Sequence, residues 1–72
     1  MFLVKVECKN LEVEKLASYL SEIVEPFFRV WLFEKKVYAI FKVNSLSTLK
    51  TLINKLKRDK HLEFRIFRIE EV

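Results

Sequence analysis

The architecture of this chain turns on residues 27–43, Phe27-Phe28-Arg29-Val30-Trp31-Leu32-Phe33-Glu34-Lys35-Lys36-Val37-Tyr38-Ala39-Ile40-Phe41-Lys42-Val43. Two runs rich in aromatic and β-branched residues flank a short polar turn at Glu34, Lys35 and Lys36, and strands joined so briefly form an antiparallel hairpin. Upstream, Glu25 and Pro26 stop a run in which Val13, Leu16, Ala17, Leu20, Ile23 and Val24 recur at helical spacing, with Asn10 as the expected N-cap. Before that helix, Phe2 to Cys8 alternates with the period of a half-buried strand. Downstream, Ser45 caps a second helix whose apolar stripe is Leu46, Leu49, Leu52, Ile53 and Leu56, ended by Asp59, Lys60 and His61. Leu62 to Ile69 reads as the last strand. The order βαββαβ predicts one α+β domain over residues 1–72, with the ferredoxin-like arrangement of a four-stranded antiparallel sheet carrying both helices on one face.

Strand parity then separates the two faces of the sheet. Val4, Val6, Cys8, Phe28, Val30, Leu32, Val37, Ala39, Phe41 and Val43 form the side expected to meet the helices. The opposite side holds Leu3, Phe27, Trp31, Phe33, Tyr38 and Ile40, with Lys5, Arg29 and Lys42 among them. In the last strand Leu62, Phe64 and Ile66 follow one parity and Phe67 and Ile69 the other, which a β-bulge reconciles. A sheet face left to water normally reads polar, and this one does not. Aromatic side chains bury about 150–250 Å² each, so this patch reaches the few hundred Å² at which an apolar surface signals a partner. Covering roughly 500 Å² on each of two subunits, at about 25 cal/mol per Å², supplies at most about 25 kcal/mol against association costs of about 4–15 kcal/mol. The expected use of Leu3, Phe27, Trp31, Phe33, Tyr38 and Ile40 is therefore a dimer interface, with a second copy or with a paralogue.

Bulk composition agrees with a small chain that needs company. It has 72 residues, 51% hydrophobic and 14% aromatic, and one cysteine, so no intramolecular disulfide can help it. There is no glycine, which removes the loops that wrap phosphate. A net charge of +4 favours polyanions by long-range attraction, so nucleic acid stays open as a ligand. Ten lysines and nine glutamates without a single glutamine give the skew of thermophilic proteomes. The opening MFLVKVECKN goes straight into an alternating pattern, resembling neither a secretory signal nor a membrane span, and a cytoplasmic setting without membrane attachment is expected.

Catalytic, metal and cofactor sites are not expected. The junction Cys8-Lys9-Asn10 lacks the glycines with which acylphosphatases bind phosphate, and Cys8 has no Cys-x-x-Cys partner. His61 is the one imidazole and no nucleophile accompanies it; Glu70 and Glu71 read as a solvated terminal pair. The helices carry opposite charge, net −3 over residues 11–25 and net +4 over residues 45–61. Such helices attract each other, or the basic one serves as a docking surface.

Two families resemble parts of this pattern. The segment Lys36-Val37-Tyr38-Ala39-Ile40-Phe41-Lys42-Val43 is similar to the third strand of the RNA recognition motif at Lys36, Tyr38 and Ala39, with Val37 in place of glycine and Ile40 in place of the second stacking aromatic. That resemblance implies a small single-stranded RNA-binding module contacting RNA through Lys5, Arg29, Lys42 and Tyr38. The chain also resembles the small dimerising subunit of the KEOPS complex, which assists threonylcarbamoyl modification of tRNA adenosine. The resemblance spans roughly residues 3–57 and rests on Lys35-Lys36-Val37 opening a strand, Lys42-Val43-Asn44-Ser45 closing it, and Leu49-Lys50 with Ile53-Asn54 in the following helix. Val43, Ser45 and Lys50 replace the family's Ala, Asp and Arg, and the strand after the second helix is an addition, as in a divergent paralogue. This likeness implies a non-catalytic subunit that pairs through its sheet and turns Lys50, Asn54 and Lys57 towards another protein in a larger tRNA-modifying complex.

Overall fold

A computed structural model describes residues 1–24 and 28–72. Glu25 and Pro26, read as the stop of the first helix, and Phe27, assigned to the open face, lie outside the described residues. The elements run β1 (Phe2–Lys9), α1 (Val13–Ile23), β2 (Phe28–Phe33), β3 (Lys36–Val43), α2 (Leu46–Lys57) and β4 (Glu63–Glu71). The strands form one antiparallel sheet in the order β2-β3-β1-β4, so each helix is the crossover of a split βαβ unit and the fold is ferredoxin-like. No helix among the described residues is long and apolar enough to cross a membrane.

The core lies between the sheet and the helices. Val4, Val6 and Cys8 from β1 and Val37, Ala39, Phe41 and Val43 from β3 meet Leu16 and Leu20 of α1 and Leu49, Leu52 and Leu56 of α2, all buried. Central strands bear this load because both helices sit over them, while Phe28, Val30, Phe64 and Ile66 on the outer strands are half-buried at its margin. Ser45 caps α2, its Oγ accepting from the Thr48 backbone N–H at 3.4 Å. Lys55 of the basic α2 pairs with Glu22 of the acidic α1, as the opposite helix charges predict, while Lys15 of α1 stands 3.6 Å from Asp59 just beyond α2, a pair of the reverse polarity.

Four local expectations are corrected. Asn10 is not the cap of α1, because Glu12 holds that position. Asn10 instead takes a left-handed φ of 62° and donates from Nδ2 to the His61 carbonyl at 3.0 Å, tying the β1–α1 junction to the start of β4. Lys36 belongs to β3, opposite Phe33, which leaves Glu34 and Lys35 as a two-residue turn with φ of 50° and 67°. Both positive values match the twist of a hairpin and are the conformation usually given to Asn-Gly. Leu32 points to the helix side by register yet is 63% exposed, because it sits at the tip of an edge strand beyond the helices. Finally, β4 runs on to Glu71, past the expected end at Ile69.

Candidate interaction surface

The face of the sheet without helices is organised by the bulge in β4. Val6 pairs with Ile66 and Lys5 with Arg68, so Phe67 is the extra residue. Its ring lies on the open face, 6.2 Å from Tyr38 and 8° from parallel. Tyr38 in turn stacks on Trp31 of β2 at 5.7 Å and 18°. A stack of Trp31, Tyr38 and Phe67 thus crosses the sheet from one edge strand to the other, passing over β1, in offset-parallel geometry. Arg65 and Lys5 lie over the Phe67 ring, at 4.3 Å and 5.9 Å from its centroid.

Beneath the stack, on β1, Glu7 is only 8% exposed. Its carboxylate oxygens lie 3.8 Å from Lys36 Nζ and 3.8 Å from Arg65 Nη2. A buried carboxylate persists where cations and donors surround it, and these two cations come from the strands on either side of β1. Desolvation raises the pKa of the Tyr38 hydroxyl, and the charge and hydrogen bond of Glu7 add to that rise. Around this centre Leu3 and Ile40 are half-buried, and Trp31, Phe33 and Phe67 remain 37%, 58% and 42% exposed. Arg29 and Lys42 stand exposed on the same face, and Arg68 pairs with Glu70.

The structure therefore brings Leu3, Trp31, Phe33, Tyr38 and Ile40 onto one surface with Lys5, Arg29 and Lys42. Parity alone missed Phe67, Arg65 and the buried Glu7. The available signal was the conflict within Phe64-Arg65-Ile66-Phe67-Arg68-Ile69, since a bulge placed after Ile66 sends Phe67 to the open side with Arg65 and Arg68. Lys50, Asn54 and Lys57 form a separate stripe on the outer side of α2, all exposed, at spacings of four and three residues.

Potential chemical groups are disposed otherwise. Cys8 is buried in the core, and burial, with a smaller contribution from the Glu7 charge, pushes its thiol up to about 11. His61 is exposed in the turn before β4, where its backbone N–H donates to Asp59 Oδ1 at 3.0 Å and holds the Asp59 carboxyl below its ordinary pKa. Among the described residues no three His, Cys, Asp or Glu side chains are grouped to hold a metal ion. No protein-family model matches this chain, and no curated protein matches it.

Proposed function

We propose that this protein is a non-catalytic interaction subunit that receives a partner protein on the open face of its sheet. The observation that carries this reading is the aromatic stack of Trp31, Tyr38 and Phe67, set among Leu3, Phe33 and Ile40 on a face no helix covers. Rigid rings with a polar rim are the chemistry of binding hot spots. The charge of the rim selects the partner. Lys5, Arg29 and Lys42 add positive charge to a face where Glu7 and Glu70 are already paired, so two copies laid face to face would oppose like charge. An acidic partner with its own apolar patch fits, whether a paralogue or a larger subunit. A thiol held protonated in the core supports the non-catalytic part of the reading. The resemblance to the KEOPS dimerising subunit would place the partner in a tRNA-modifying assembly and give Lys50, Asn54 and Lys57 of α2 a second contact there.

Single-stranded RNA is the competing ligand, because basic and aromatic residues do share this face. Stacking needs a free ring face. Tyr38 has Trp31 on one side and Phe67 on the other, and Arg65 reaches over Phe67, so among the described rings of this face only the peripheral Trp31 and Phe33 keep an open side for a base. Nuclease-treated copurification from the native host, with wild-type and Ile40→Lys baits, separates the two. An acidic protein retained near one-to-one by the wild type and lost by Ile40→Lys is the expected result. Loss of the associated material on nuclease treatment, with Trp31 fluorescence quenched by short oligonucleotides, would overturn it in favour of RNA.

A further inference from the structure

The two edge strands of the sheet are built differently. β4 carries Glu63, Arg65, Arg68, Glu70 and Glu71 and bulges at Phe67, the devices that keep a strand edge from pairing with another chain. β2 reads Phe28-Arg29-Val30-Trp31-Leu32-Phe33, with one charge and an unbroken register against β3. Trp31, Leu32 and Phe33 are 37%, 63% and 58% exposed. Successive strand residues point to opposite faces, so over Trp31–Phe33 this edge is uncovered on both sides of the sheet, while Phe28 and Val30 nearer the helices are half-buried.

We propose that a second copy of this chain pairs antiparallel along β2 about a two-fold axis at Trp31, doubling the four-stranded sheet. Residues opposite each other in an antiparallel pair share a face, so keeping both helix layers on one side requires partners of equal parity. Centred on Trp31, the register sets Arg29 against the partner's Phe33, Val30 against the partner's Leu32, and Trp31 against the partner's Trp31. Each exposed residue of the edge then gains a matching neighbour. Leu32, stranded beyond the helices, packs on the partner's Val30. The outer ring face of Trp31 meets its counterpart and the aromatic stack continues across the axis. Arg29 comes over the partner's Phe33.

Charge permits this contact where it opposes face-to-face pairing. The two Arg29 side chains lie four residues apart along the strand, about 14 Å, beyond the roughly 8 Å screening length at physiological salt. The guarded β4 edge prevents the same chemistry from adding further copies, so the assembly closes at two. The apolar area covered is on the order of 300 Å² per subunit, well below the roughly 800 Å² per partner of a standard interface, so backbone pairing along the edge carries much of the contact and the dimer is a weak one that dissociates on dilution. The pairing does not depend on the open-face reading, since it leaves Phe67, Ile40 and Leu3 free.

Sedimentation equilibrium over about 5–500 µM, concentrations at which a weak dimer is populated, tests it. The expected mass rises from 8.7 kDa to twice that value. Leu32→Lys, which alters an exposed side chain on the helix side of the edge, should raise the dissociation constant at least about 10-fold with unchanged far-UV circular dichroism; Phe33→Lys should do the same. Ile40→Lys, on the open face away from the edge, should leave it unchanged. A monomer throughout the range would overturn the proposal, as would a dimer that survives Leu32→Lys and is lost in Ile40→Lys, which would mean that copies meet through their open faces.

Discussion

The two faces of this sheet are almost equally rich in apolar residues and use them in opposite ways. Towards the helices, Val4, Val6, Ala39, Phe41 and Val43 interlock with leucines and exclude water. Towards solvent, the apolar residues are large, flat and interleaved with charge. Trp31, Tyr38 and Phe67 stack on one another, and Glu7, Lys36 and Arg65 are held among them. Apolar content alone therefore does not distinguish a core from a contact surface. The distinction lies in whether the residues close on each other from two layers or stand in one layer with a charged rim.

That contrast fixes how each face answers to substitution. Phe41→Ala, in the middle of the buried face, should lower unfolding free energy by about 3–5 kcal/mol in urea titrations. Phe67→Ala removes a comparable ring from the open face and should cost only about 1 kcal/mol, because much of that ring is already wet and only its stacking is lost. Equal losses at the two positions would mean that the open face contributes to stability as a core does.

Cys8 reports on the seal of the helix side through pH. Its pKa is raised by folding, so its contribution is fully present below the unfolded value near 8.5 and is lost as pH rises towards about 11. Stability should fall by up to about 3 kcal/mol across that window, and Cys8→Ala should flatten this alkaline limb while lowering the neutral-pH baseline. An alkaline limb unaltered in Cys8→Ala would assign it to other groups. On the open side, Glu7→Gln removes two long ion pairs, both at 3.8 Å and to cations that keep contact with water, and should cost about 1 kcal/mol. The same change should bring the Tyr38 pKa part of the way down towards its ordinary value in a spectrophotometric titration, since desolvation, the larger cause of the rise, remains. Smallest is Lys35→Gly in the hairpin turn, which relieves a left-handed residue far from either face and should stabilise by about 0.5–1 kcal/mol in thermal melts.

Element order, strand pairing and most of the buried face were legible in the sequence, because the alternation of Val4, Val6 and Cys8 and the stripe of Leu49, Leu52 and Leu56 are unambiguous periods. Three features were not. A chain without glycine makes its left-handed turns from Asn10, Glu34 and Lys35, so the usual punctuation is missing and Asn10 reads as a cap. The bulge in β4 is signalled by the change of parity between Ile66 and Ile69, yet its position, and with it the face that Phe67 takes, is not fixed until the register is known. Glu7 alternates as a surface carboxylate should, and only the rings and cations gathered from β3 and β4 bury it. Each of these depends on contacts between residues distant in the chain.

Hydroxyl-radical footprinting of the chain within its native assembly, compared with the isolated chain, addresses the open face itself, since aromatic side chains are its natural reporters. Phe67 and Tyr38 should be strongly protected in the assembly, with Trp31, while Leu46 at the start of α2 changes less. Open-face rings that oxidise as fast in the assembly as alone would contradict the account and leave the helices as the surface that meets a partner.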